Sequence, residues 1–158
     1  MQTGIKNRIK DAVLLWNNDR RESAFLLTVV SVAAVSRLRY PLEKDGDAFR
    51  KTFQDFTRVS LKVEFRGQLE PIENIFYKWI RCELIHEANV PFDIEFVDDK
   101  DYGKMSIRAG GHPEYKLKLG TGWFFHLNDS IVNAPELANG TTDNKKVRTT
   151  GQADNKRR

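Results

Sequence analysis

An arginine and a histidine five residues apart lie in the run Phe76-Tyr77-Lys78-Trp79-Ile80-Arg81-Cys82-Glu83-Leu84-Ile85-His86-Glu87. Histidine moves protons near neutral pH. Arginine stays charged and suits phosphate oxygens. Together they suit metal-free cleavage of RNA. One group helps a 2′-hydroxyl attack the neighbouring phosphate, and the guanidinium stabilises the charged transition state. The plain alternative is a core histidine with a satisfied hydrogen bond, and an arginine paired with Glu83 or Glu87. On an ideal helix five residues span about 500°, which leaves the two side chains about 140° apart. With the apolar face centred on Ile72, Ile75, Phe76 and Trp79, His86 falls close to that face. Arg81 falls on the opposite side, near Tyr77 and Ile85. Either the helix bends near Arg81, or two copies of it meet.

Other chemistry-bearing residues carry less. His86, His112 and His126 match no zinc spacing. Asp98-Asp99-Lys100-Asp101 lacks the closing glutamate of a calcium loop and reads as a solvated turn. Gly110-Gly111 and Gly120-Thr121-Gly122 are not followed by the Gly-Lys-Ser of a phosphate loop. Cys82, the single cysteine, reads as a small apolar filler in a buried helix. It excludes an internal disulfide. No metal and no cofactor are therefore expected.

Several elements must position the Arg81–His86 stretch. Ile5, Ile9, Ala12, Val13 and Trp16 repeat at helical spacing. Asn17, Asn18 and Asp19 break that helix and can cap the next. The second helix, about 20–38, is apolar nearly all round and so should be central. Phe49, Phe53 and Phe56 lie on one face of a third helix that follows Asp45-Gly46-Asp47, and core packing explains that stripe. Residues 61–66 alternate like a short strand. A helix then runs from Pro71 to about Ala88, stopped by Pro91.

Beyond it the period falls to two, around Phe92–Val97, Met105–Ala109 and Tyr115–Leu119. That predicts an antiparallel β-meander over 92–119, to which 61–66 could add a strand. Trp123, Phe124, Leu127, Ile131 and Val132 form a final helix that Pro135 ends. The fold class is thus α+β: a bundle of four to five helices with a small antiparallel β-meander inserted before the last helix. Residues 1–137 form one domain.

The charge adds little to this picture. The net charge of +4 is carried entirely by residues 139–158, which hold six bases and two acids, while the rest holds 20 of each. Residues 138–158 read as a disordered basic tail. The longest apolar run, Ala24–Val35, is well short of the roughly 20 residues that cross a bilayer. No signal-peptide pattern precedes it. A cytoplasmic protein with no membrane attachment is the expectation.

Arg81-Cys82-Glu83-Leu84-Ile85-His86, on an apolar helix behind a nearly all-apolar partner helix, resembles the HEPN superfamily (higher eukaryotes and prokaryotes nucleotide-binding). The resemblance covers about residues 20–90, with the closing helix at 123–134. It implies a metal-independent endoribonuclease, of a defence or toxin–antitoxin kind, that works as a homodimer. Two motifs would then face each other in one cleft, with Arg81 and His86 as the catalytic residues and RNA as substrate. Members that cut RNA usually have a polar residue after the arginine, whereas Cys82 stands here. The alternative is a non-catalytic HEPN-like dimerisation or protein-interaction module.

Overall fold

The computed structural model describes residues 2–99, 104–111, 113 and 115–138. The chain folds as α+β. Helices α1 (Gln2–Asn17), α2 (Arg21–Arg39) and α3 (Asp45–Thr57) come first. A two-stranded hairpin of β1 (Lys62–Phe65) and β2 (Gln68–Pro71) follows. Helix α4 comes next, in three stretches: α-helical Ile72–Asn74, π-helical Ile75–Cys82 and α-helical Glu83–His86. Strands β3 (Ile94–Val97), β4 (Ile107–Ala109) and β5 (Leu117–Gly120) precede α5 (Gly122–Val132) and a short 3-10 turn, Pro135–Leu137. Among the described residues no helix is long and apolar enough to cross a membrane. The expected tail over 139–158 lies outside the described residues.

Helix α2 is central because it has little polar surface to expose. It packs against α1, α3, α4 and α5. Its few hydroxyls are satisfied: Thr28 lies within hydrogen-bond reach of the Ala24 carbonyl at 3.1 Å and of Asn128 Oδ1, on the last helix, at 3.0 Å, and Ser31 donates to the Leu27 carbonyl at 2.7 Å. Aromatic rings fill the spaces between helices. Trp16 stacks on Phe124 at 4.2 Å and Phe25 on Phe96 at 4.0 Å. Phe53 meets Phe76 at 4.7 Å, and Phe76 meets Trp123 at 5.1 Å. Each buried ring is worth about 1.5–3 kcal/mol of transfer free energy. The Phe49 and Phe53 stripe is core, as its spacing implied.

The strands lie where the alternation put them, but their pairing departs from a meander. The sheet order is β3-β5-β4, with β5 parallel to β3 and antiparallel to β4. Described residues on either side of 100–103 pack on the start of α5: Asp99 accepts from the Gly122 amide at 3.1 Å and from Ser106 Oγ, and Trp123 Nε1 donates to the Ser106 carbonyl at 3.0 Å. A Cβ at Gly120 would collide with the Asp99 carboxylate, and one at Gly122 with the Lys104 carbonyl. The two glycines therefore let Asp99 and Lys104 come this close. Residues 62–65 do not join the sheet; they pair with 68–71 through a two-residue turn, Arg66-Gly67, with φ of 53° and 76°.

Arg39 ties the end of α2 to the 3-10 turn. Its Nε and Nη2 donate to Glu136 at 2.6 and 3.0 Å, and Nη1 donates to Asp55 at 2.9 Å. The Arg39 hydrogen bond holds Glu136 below the usual carboxylate range, against the opposing effect of burial. A lowered folded-state value means the stabilisation is complete above the unfolded value, about 4.3, and is lost as pH falls through the folded one. Urea unfolding as a function of pH should therefore show a shallower loss of stability on the acid side of pH 4 in Glu136→Gln than in the wild type.

Candidate functional site

The π-helical stretch decides where Arg81 points. In such a helix the amide bonds five residues back, so residues five apart sit one above another instead of about 140° apart. Ile75 and Ile80 are both fully buried. Trp79, which an ideal helix places at the centre of the apolar face, is only half-buried. Arg81 follows Phe76 by five residues and is drawn toward the packed side. Its side chain is 19% exposed, and it lies against α3 instead of facing away from it.

The acid that meets Arg81 comes from α3, not from Glu83 or Glu87. Arg81 Nη2 lies 3.1 Å from Asp45 Oδ2. Its guanidinium carbon packs over the Tyr77 ring at 5.3 Å, as does that of Arg50 at 5.2 Å. Arg50 in turn donates to Asp47 at 2.9 Å. Tyr77 approaches so closely that a Cβ on Gly46 would sit 3.0 Å from its Cζ. Burial, with the Asp45 charge second, raises the Tyr77 phenol above its ordinary value. Arg81 Nε is buried without a hydrogen-bond partner. Cys82 is half-buried, with its sulfur 4.0 Å from Arg81 Nη1. The third helix does not follow Asp45-Gly46-Asp47: these residues are the first turn of α3 itself.

His86 is placed differently. It ends α4, and its imidazole is exposed. Among the described residues it has no hydrogen-bond or ion-pair partner. Ala88, at φ 60°, turns the chain out of the helix just beyond it. The structure thus does not make His86 a core histidine. The other histidines do not join it: His126 Nε2 bonds the Phe56 carbonyl at 2.9 Å, and His112 lies outside the described residues. Among the described residues no group of three or more His, Cys, Asp or Glu side chains could hold a metal ion.

Asp45 was invisible to sequence reasoning as a partner of Arg81, because 36 residues and a tertiary contact separate them. The only local hint is the acidic first turn of α3, which any helix favours.

The geometry defines an α+β protein with one irregular helix, carrying a held arginine in its middle and an open histidine at its end. The chain belongs to the Rv1289 family, whose model matches residues 4–153. No curated protein and no solved structure matches it.

A double-mutant cycle of Asp45→Asn and Arg81→Ala, read by urea unfolding, should give a coupling of about 0.5–1 kcal/mol, because Asp45 is 40% exposed and solvent screens the pair.

Proposed function

We propose that this protein acts on RNA, as a metal-independent endoribonuclease whose site is completed by a second copy of the chain. The observation that supports this best is the open imidazole of His86 at the end of a helix that is π-helical through Arg81. π-helical turns are rare and recur at functional sites. In this reading His86 takes the proton of a 2′-hydroxyl or returns one to the leaving oxygen. Arg81 exchanges Asp45 for the phosphate and balances its developing charge. Two helices facing each other supply the second arginine and histidine.

A second reading is favoured by the Arg81–Asp45 pair. If that pair is permanent, α4 is a structural rod, and the protein is a non-catalytic dimerisation or protein-interaction module.

The two readings separate on a panel of labelled RNAs in the presence of a chelator. The nuclease reading expects cleavage by the wild type and a loss of at least about 100-fold in both His86→Ala and Arg81→Ala. It also expects partial recovery when the two variants are mixed, since the hybrid dimer keeps one arginine and one histidine across its interface. Absence of cleavage by the folded wild type across the panel would favour the module.

A further inference from the structure

Outside the Arg81–His86 helix, a cavity of about 500 Å³ lies between the C-terminal end of α3 and α5. Asp55, Phe56 and Arg58 line it from the end of α3, His126 and Ser130 from α5, and Arg39 from the end of α2. Its histidine is oriented by backbone. His126 is half-buried, and its Nε2 lies 2.9 Å from the Phe56 carbonyl oxygen. A carbonyl oxygen only accepts, so Nε2 carries the hydrogen. In the neutral ring Nδ1 is then the bare nitrogen. Among the described residues Nδ1 has no partner, and it is not sealed from solvent. The Phe56 bond has a structural use, because Phe56 is in the last turn of α3, where carbonyls lack partners within the helix. That use accounts for Nε2 and leaves Nδ1 unassigned.

Arg58 brings an uncommitted charge. It follows α3 in left-handed backbone at φ 53°, is exposed, and makes no side-chain hydrogen bond or ion pair among the described residues. The acid of the cavity is already engaged: Asp55 accepts from Arg39 at 2.9 Å and from Tyr40 at 2.8 Å. Arg39 is held on its other side by Glu136. Asp129, three residues on from His126, is exposed and outside the lining. Two bases stand against two acids here, so selectivity comes from the placement of donors and not from a positive field. Ser130, one turn beyond His126 on α5, adds a hydroxyl with no partner among the described residues.

The cavity thus offers a guanidinium, a hydroxyl and a bare imidazole nitrogen. An anion without a hydrogen of its own suits the first two and is repelled by the third. A phosphomonoester suits all three. Its P–O–H group donates to Nδ1 while its other oxygens take Arg58 and Ser130. Its second ionisation, at about pH 6, is close to that of an ordinary imidazole, so one proton serves both groups.

We propose that this cavity binds the phosphate group of a small phosphomonoester, held by Arg58 and Ser130 and sharing one proton with His126 Nδ1. Small-molecule pockets run to about 300–1,000 Å³, so the organic part of the ligand has room as well. The site uses neither Arg81 nor His86 and stands apart from the nuclease reading.

The test is a titration of the full-length chain with phenyl phosphate, inorganic phosphate and sulfate, followed by proton–nitrogen NMR. The free protein should show His126 as the Nε2–H tautomer. Phenyl phosphate is expected to move the His126 Nδ1 signal toward its protonated position. It should bind about ten-fold more tightly at pH 6 than at pH 8, because the complex holds a proton that both free groups have lost at the higher pH. Arg58→Gly removes the guanidinium and suits the left-handed backbone, so it should fold and bind at least about ten-fold more weakly. His126→Gln keeps a donor for the Phe56 carbonyl but no group that titrates near neutral pH. It should bind about ten-fold more weakly at pH 6 and show a smaller difference between the two pH values.

Unchanged affinity in Arg58→Gly overturns the proposal. Equal affinity for phenyl phosphate and sulfate at pH 8 would mean a general anion contact, which also overturns it. Inorganic phosphate binding more tightly than phenyl phosphate would assign the cavity to the free ion and overturn it too. So would the absence of any shift in the folded protein at millimolar phenyl phosphate.

Discussion

A guanidinium that lies four-fifths out of water must be met by an anion, and Asp45 meets Arg81. Much of the local architecture serves that meeting. The π-helical stretch of α4 draws Arg81 round from the solvent side to the packed side. The start of α3 presents Asp45 in its first turn, where the helix dipole already favours an acid. Tyr77 fills the space between them and carries both Arg81 and Arg50 on its ring. Gly46 is the residue that lets Tyr77 come so near. Replacing any of these would leave the buried Arg81 Nε less supported, and that atom already lacks a partner.

The second constraint is the packing of Asp99, Lys104 and Ser106 on the start of α5. It uses both glycines of Gly120-Thr121-Gly122, so their role is close approach. In the three-stranded sheet β5 is the centre strand, and its leucines, Leu117 and Leu119, are fully covered.

Much of this was legible from spacing alone. The helices around Ile5, Ile9 and Ala12, and around Phe49 and Phe53, follow from a period near 3.6. The three strands of the sheet follow from a period of two. Pairing was not legible, because alternation is the same whether a strand is parallel or antiparallel. Gln68–Pro71 escaped notice because neither face of that strand is well buried, with Leu69 70% exposed. Gly67 reads as a stop in the sequence, yet with Arg66 it is the turn of a hairpin. The π-helical stretch has no distinctive composition, so the angle assigned to Arg81 from an ideal helix was wrong in the one place where it mattered. The exposure of His86 was hidden for the same reason.

What the arginine can do depends on how firmly Asp45 holds it. Asp45 is 40% exposed, and a pair so open to solvent is worth at most about 1 kcal/mol. A charge-assisted hydrogen bond to a better-desolvated partner is worth about 1.5–3 kcal/mol. A phosphate that reached Arg81 within a dimer cleft would be shielded from water on both sides, so the exchange would run downhill. In the proposed nuclease the aspartate would be a resting partner that keeps the guanidinium oriented while the cleft is empty. A permanently structural pair would instead need an Asp45 that is completely buried, for which a second copy of the chain would have to cover it. Whether Asp45 is covered by such a copy is therefore the quantity on which the role of Arg81 turns.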